Sequence, residues 1–317
     1  MSDWKPTASI ATLEMRASML RSARDYFAAT RALEVETPTL STGAVTDVHL
    51  ASVGAIACGQ RRYLHTSPEY SMKRLLAAGC GDIWQLCRVY RDGESGRFHN
   101  PEFTLIEWYR LGIDHHSLMS DVERLISTML PPSRNFDSAE RLTYREAVQL
   151  HAGVDAFDDP TAVLIARLES ADIDVPASVR GERDACLDLI MSTLVGPNLG
   201  RERLSFVYDY PASQAALARI RGPVASRFEA YLDGIELANG FHELGDAPEQ
   251  RTRFEADLAE RMRRGLPSMP IDQRLLAALD HGLPDCAGVA LGFDRLVMCA
   301  LGAKHIDEVL AFAFARA

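Results

Sequence analysis

Two strand–loop–strand patterns constrain the fold of this chain more than any other feature. Residues 83–91 and 102–110 are each typical of a β-strand, and a polar, turn-forming segment separates them, which predicts a long antiparallel hairpin. A second hairpin is predicted over residues 227–239, because Asp233-Gly234 is a strong two-residue turn signal. Long hairpins argue against a doubly wound parallel sheet. We therefore predict an α+β fold, with a mainly antiparallel sheet flanked by helices in one domain over residues 1–317.

Apolar periodicity and capping residues predict the remaining elements. A short helix begins with Ser67 as its N-cap and Pro68 at its first position and ends at Gly79, while Thr143 and Glu146 form a capping box. Further helices are predicted at residues 11–31, 117–130, 144–151, 182–195, 247–264 and 272–281. Further strands are predicted at residues 63–66, 204–210 and 287–291, and the last leads into a helix near Asp294.

The second strand of the first hairpin has a face of unusual composition. Side chains alternate along a strand, so Phe103, Leu105, Glu107 and Tyr109 share one face. An unpaired carboxylate among apolar groups would be costly, and this face therefore indicates a site rather than a solvated surface.

Two carboxylates are predicted to meet in the second hairpin. With a tight turn, Tyr231 faces Glu236 and Glu229 faces Ala238, which makes Glu229 and Glu236 diagonal neighbours on one face. Their oxygens suit Mg²⁺, which would relieve the repulsion between them. A solvated sheet face explains the pattern equally well, and the pattern alone leaves both interpretations open.

The charge balance limits the partners and the location. The chain has 317 residues with 34 basic and 44 acidic side chains, a net charge of −10, which argues against non-specific nucleic-acid binding. Lys5, Lys73 and Lys304 are the only lysines, and none belongs to a Gly-rich phosphate loop, so arginine would have to hold a nucleotide phosphate.

The sequence has no export signal, membrane-spanning stretch or C-x-x-C pair. We expect a cytoplasmic protein with reduced cysteines and no membrane association.

Three motifs, in the right order, resemble one family. The segments are Val35-Glu-Thr-Pro38, Arg88-Val-Tyr-Arg91 with Arg97-Phe-His-Asn-Pro-Glu-Phe103, and Gly288-Val-Ala-Leu-Gly-Phe-Asp-Arg295. They are similar to motifs 1, 2 and 3 of class II aminoacyl-tRNA synthetases, in which motif 1 builds the dimer interface. Two further segments resemble the lysyl-tRNA synthetase core, namely Asp209-Tyr-Pro-Ala-Ser-Gln214 and Glu236-Leu-Ala-Asn-Gly-Phe-His-Glu243.

Departures from the synthetases point to a truncated branch. Lysyl-tRNA synthetases carry an anticodon-binding barrel ahead of motif 1, but only residues 1–10 precede the predicted motif 1 helix here, so we expect no such domain. Gly43-Ala-Val-Thr-Asp-Val-His49, and Ala290 where the synthetases usually have glycine, resemble the elongation factor P–(R)-β-lysine ligase family. This resemblance implies ATP-dependent activation of β-lysine as an adenylate and its transfer to a lysine side chain of elongation factor P. It also implies a homodimer and no tRNA substrate.

The resemblance implies roles for the matching residues around ATP. Arg91 would bind the α-phosphate, and Phe103 and Arg295 would stack on the two faces of adenine. Glu229 and Glu236 would hold Mg²⁺ with ATP and complete a catalytic set with Arg91 and Arg295. Further ATP contacts would come from the hairpin loop, where Gly93 replaces the usual motif 2 glutamate: His99, Asn100 and Glu94.

The resemblance also implies an amino-acid pocket. The residues that match its positions are Ser67, Glu69, Glu107, Tyr109, Asn239, Phe241, Glu243, Ala290 and Gly292. In the family, the methyl group at the position of Ala290 accompanies a preference for β-lysine over α-lysine. Two other functions share these motifs: a minimal lysyl-tRNA synthetase that charges tRNA, and a non-catalytic paralogue that senses amino acid or nucleotide.

Overall fold

The computed structural model describes residues 4–134 and 136–317; the first three residues of the predicted domain 1–317 lie outside it, as does residue 135. The strands of the described residues are β1 (Leu33–Glu34), β2 (Leu40–Ser41), β3 (Gly54–Ala57), β4 (Gln60–Leu64), β5 (Ile83–Tyr90), β6 (Glu102–Leu111), β7 (Glu140–Thr143), β8 (Ser205–Pro211), β9 (Ile220–Arg221), β10 (Val224–Leu232), β11 (Ile235–His242) and β12 (Cys286–Gly292). The α-helices are α1 (Ile10–Ala29), α2 (Glu69–Ala77), α3 (His115–Met129), α4 (Tyr144–Ala152), α5 (Thr161–Ser170), α6 (Ala177–Arg180), α7 (Arg183–Ile190), α8 (Ala247–Arg263), α9 (Gln273–His281) and α10 (Phe293–Leu301).

A large, mainly antiparallel sheet forms the centre of the molecule. Its strands lie in the order β1-β5-β6-β12-β11-β10-β8-β7, with β9 paired to β10, while β2, β4 and β3 form a separate small sheet. Only the outer pairs β1–β5 and β7–β8 are parallel among the described strands. The predicted α+β class and the antiparallel sheet are confirmed.

The first predicted hairpin is β5–β6, and its two faces differ as the alternation predicted. The pairing runs in register from Ile83 opposite Tyr109 to Tyr90 opposite Glu102. Ile106 and Trp108 are fully buried in the main core, which also contains side chains of α1, α3 and α10. Glu107 lies on the opposite face, where the hydroxyl groups of Ser67 and Tyr109 contact it.

The second predicted hairpin is β10–β11, but its register differs from the prediction. Tyr231 pairs with Glu236 as expected, whereas Glu229 pairs with Asn239, so the predicted pair of Glu229 with Ala238 is wrong. The cause is a β-bulge, since Ala230 pairs with Ala238 and Leu237 is left as an extra residue in β11.

The bulge has a direct effect on side-chain direction. Leu237 and Ala238 both contribute to the main core, while Glu236 and Asn239 both line cavities on the other face. Regular alternation would place Glu236 and Asn239 on opposite faces, because they are three residues apart. The bulge therefore lets one strand carry both groups into the same site.

Most predicted helices are confirmed, with local differences. α2 begins at Glu69 with Pro68 as the N-cap residue, one position later than predicted, although the Ser67 hydroxyl still accepts a hydrogen bond from the Glu69 amide at 3.0 Å. The predicted helix 182–195 is α7 followed by a π-helical turn, Met191–Val195. The Thr143–Glu146 capping box of α4 is present. Among the described residues, no helix combines the length and apolar character that a membrane span requires.

Candidate active site

A cavity of about 570 Å³ collects most of the predicted amino-acid pocket. The sequence-predicted residues that line it are Ser67, Glu69, Arg91, Glu107, Tyr109, Asn239, Phe241, Glu243 and Ala290. The sheet register explains this gathering, because Ala290 in the middle strand β12 pairs with Glu107 of β6 on one side and with Asn239 of β11 on the other. Segments far apart in sequence thus meet at one place on the sheet.

The Glu107 carboxylate is buried and held by two hydroxyl groups. Glu107 is 2% exposed. The Ser67 hydroxyl donates to its Oε2 at 2.7 Å, and the Tyr109 hydroxyl donates to its Oε1 at 2.8 Å. Burial, together with the negative charge of Glu69, raises the pKa of Glu107 to about 8. The empty pocket therefore disfavours this charge, and an ammonium group placed beside it would stabilise it.

A buried lysine, absent from the sequence-predicted site, sits behind the pocket. The ammonium nitrogen of Lys73 lies 2.6 Å from Glu69 Oε1 and 2.6 Å from Glu243 Oε2. These two carboxylates outweigh the effect of burial and raise the pKa of Lys73, so the side chain is charged. Burial raises the pKa of Glu243 to about 8 despite this ion pair. The signal in the sequence was the i, i+4 spacing of Glu69 and Lys73 on one helix.

Two further features shape the cavity wall: an oxygen that a polar ligand could contact, and a glycine that lets its neighbours pack close to the strand. Within the described part of the chain, Asn239 Oδ1 is buried without a hydrogen-bond partner. A Cβ atom at Gly288 would lie 2.2 Å from the Tyr109 ring and 2.5 Å from Glu243 Oε1, so only glycine allows these groups to approach the strand. Gly292 lies at the end of β12 as the N-cap residue of α10, where an added Cβ would contact Arg295.

The predicted phosphate-binding arginine stands at the edge of this cavity. The Arg91 guanidinium lies 5.0 Å from the centre of the Phe103 ring, and Arg91 Nη1 lies 3.6 Å from Glu94 Oε1. Gly93 has a φ of +78°, which lets the chain turn sharply between Arg91 and Glu94. The structure thus brings these three predicted ATP residues together.

A second cavity, of about 280 Å³, contains the other predicted ATP residues, His99, Glu229, Glu236 and Arg295. Arg295 donates to the Glu236 carbonyl oxygen at 2.9 Å, and its Nη2 lies 2.6 Å from His99 Nε2. Burial and the charge of Arg295 lower the pKa of His99, which leaves its ring nitrogen free to accept. The Asn100 side chain instead bonds to the backbone: its Nδ2 donates to the Glu102 carbonyl oxygen, and its Oδ1 accepts from the Phe314 amide. These two bonds fix the loop.

The two carboxylates predicted to hold Mg²⁺ lie in this second cavity. Glu229 accepts from Arg227 and from the Tyr231 hydroxyl, each at 2.5 Å, which fixes the carboxylate. Burial and the charge of Glu229 raise the pKa of Glu236. A hard divalent cation would relieve this repulsion, and carboxylate oxygens are the donors that Mg²⁺ prefers, so the residues present fit the ion.

Comparisons with known proteins agree with this geometry. The family model for tRNA synthetases class II (D, K and N) matches residues 2–316. Proteins from Vibrio cholerae, Edwardsiella ictaluri and Yersinia enterocolitica, each named elongation factor P–(R)-β-lysine ligase, are 51%, 49% and 50% identical. The alignments cover 100%, 100% and 99% of this chain and 99%, 99% and 98% of those proteins. The chain therefore belongs to the class II tRNA synthetase family, as a relative of the elongation factor P–(R)-β-lysine ligases.

Proposed function

We propose that this protein activates (R)-β-lysine with ATP and transfers it to a lysine side chain of elongation factor P. The observation that carries the proposal is the single cavity that is lined both by Arg91 and by three buried or half-buried carboxylates, Glu69, Glu107 and Glu243. Such a cavity suits a substrate that bears two ammonium groups and presents its carboxylate to a nucleotide. The relatives with this name, which align over the whole chain, support the choice of substrate and acceptor.

The first step joins the amino acid to the nucleotide. A carboxylate oxygen of β-lysine attacks the α-phosphorus of ATP, the bond to the β-phosphate breaks, and pyrophosphate leaves. Arg91 donates charged hydrogen bonds to the α-phosphate oxygens, on which negative charge develops. Glu229 and Glu236 would hold Mg²⁺, which supplies positive charge to the phosphates.

The second step transfers the activated group. The neutral amine of the acceptor lysine attacks the adenylate carbonyl, an amide bond forms, AMP leaves, and the proton lost by the amine passes to solvent. The carboxylates of the pocket hold the ammonium groups of β-lysine during both steps, which fixes the reacting carbonyl. We further propose that the enzyme works in the cytoplasm as a homodimer, as the motif 1 resemblance implies.

The test combines ATP–pyrophosphate exchange with mass analysis of the acceptor. We expect exchange that depends on β-lysine, and elongation factor P that gains one lysyl residue; an acceptor with arginine at the modified lysine is the control. Charging of tRNA without acceptor modification would contradict the proposal in favour of a synthetase. An absence of exchange with either α- or β-lysine would favour a sensing paralogue.

A further inference from the structure

The mechanism above gives no role to the buried ammonium group of Lys73. The residue is 2% exposed and lies on α2, where Met72 and Leu76 join a small apolar cluster with Tyr109 and Cys286. Burying a lone ammonium in such surroundings would be costly. The contacts at 2.6 Å to Glu69 and Glu243 offset that cost, so Lys73 and these carboxylates form one unit.

The unit matters because both carboxylates also line the cavity. Counted in their ionised forms, they and Glu107 carry three negative charges and Lys73 carries one positive charge, which leaves an excess of two. β-Lysine carries two ammonium groups, so the excess matches the substrate that the proposed function assigns to the cavity. Lys73 contacts both carboxylates directly from α2.

We propose that Lys73 is a positioning residue for substrate recognition, which holds the Glu69 and Glu243 carboxylates in place so that they can pair with substrate ammonium groups. Without Lys73, Glu69 and Glu243 would lose the cation that joins them, and burial would raise the pKa of Glu243 further. A protonated carboxyl group binds an ammonium group weakly. This inference rests on the proposed function, and it concerns binding of the amino acid rather than of ATP.

The ionisable groups around Lys73 define what a pH experiment would report. They are Glu69 on the same helix, Glu107 and Tyr109 on β6, Glu243 after β11, and Cys286 on β12. Burial raises the pKa of both Tyr109 and Cys286 far above neutrality, so these two stay uncharged. Glu107 and Glu243, whose pKa burial raises to about 8, are then the groups whose ionisation changes between neutral and mildly alkaline pH.

The test measures the KM for β-lysine and for ATP in pyrophosphate exchange at several pH values. At pH 7, K73M should raise the KM for β-lysine by about tenfold or more, the loss expected for a charged contact, while the KM for ATP stays within about twofold. The ratio of the variant's KM to the wild-type KM should fall as the pH rises to about 9, because Glu243 then ionises more fully even without the lysine that lowers its pKa. K73R, which keeps the charge, should show a ratio that does not change with pH. K5M, at an exposed lysine, is the matched control and should equal the wild type.

A purely structural role would give a different result. If K73M raised both KM values alike, or if its KM ratio for β-lysine were the same at every pH, the proposal would be overturned. If K73M does not fold, the KM of the double variant E69Q/K73M is compared with the KM of E69Q. In that comparison only Glu243 loses a charged partner. The same fall of the ratio with pH is expected, and a constant ratio overturns the proposal. Lack of exchange in the wild type would instead refute the proposed function.

Discussion

Replacing Glu107 by Gln should stabilise the empty protein while it weakens the binding of β-lysine. Glu107 is buried, and its pKa is raised to about 8 from the ordinary value of 4.5, first by burial and then by the charge of Glu69. At a pH between these two pKa values, Glu107 keeps its proton in the folded protein but has lost it in the unfolded chain. Stability therefore falls as the pH rises through this window. Glutamine resembles the protonated side chain and removes this dependence.

The magnitude follows from the linkage relation. Each unit of pKa difference corresponds to about 1.4 kcal/mol, so the wild-type carboxyl group costs about 1 kcal/mol at pH 5.5, about 3 kcal/mol at pH 7 and about 4 kcal/mol at pH 8. The Gln side chain can still accept a hydrogen bond from Ser67 or Tyr109, so E107Q keeps much of the local packing. Its loss of charge removes a charged contact with the substrate, worth about 1.5–3 kcal/mol, or roughly ten- to hundredfold in the KM for β-lysine.

Urea unfolding of the wild type and E107Q at about pH 5.5, 7 and 8, without substrate, measures the first effect. The unfolding free energy of E107Q should exceed that of the wild type, and the difference should grow by about 3 kcal/mol across this range. Pyrophosphate exchange measures the second effect. A difference in stability that is constant with pH, or that shrinks as the pH rises, would refute the reasoning, whatever the activity.

Three further substitutions test the nucleotide and specificity residues. R91A should lower exchange by about a hundredfold or more, as for loss of a donor to developing charge. R88A, at an exposed arginine on β5 three residues earlier, is its control, and equal activity of R91A and R88A would remove the assigned role. A290G should shift the ratio of kcat/KM values for β- and α-lysine by about tenfold toward α-lysine; an unchanged ratio would clear this position. E236Q should raise the Mg²⁺ concentration needed for half-maximal exchange by about tenfold, as for a lost ligand contact; an unchanged Mg²⁺ titration would contradict the carboxylate role.

Features with local causes could be predicted from the sequence. The β5–β6 hairpin has its alternation written in consecutive residues, and the Asp233-Gly234 turn adopts positive φ at both positions, as its residue types require. The Thr143–Glu146 capping box is likewise set within one turn of chain. The motif resemblance predicted which residues would share a site, and most of the residues it named line the two cavities.

Features that depend on long-range packing could not be predicted. In the sequence, Lys73 is an ordinary helix lysine. Its role depends on the contact with Glu243, which comes much later in the chain. The parallel strand β7 pairs with β8 across the helical segment from α4 to α7, and neither β7 nor α5 has a strong pattern of its own. A tight turn predicts a regular ladder beyond it, and the β11 bulge interrupts that ladder.

Because of the extra residue in β11, the geometry of the site depends on the number of residues in this strand. Glu236 lies before Leu237 and the pocket residues Asn239, Phe241 and Glu243 lie after it, with opposite parity along the strand. Deleting Leu237 would restore regular alternation and turn one group away from the substrates, although every functional side chain would still be present in the chain. The strand can thus tolerate changes of residue type between the two groups more readily than any change of length.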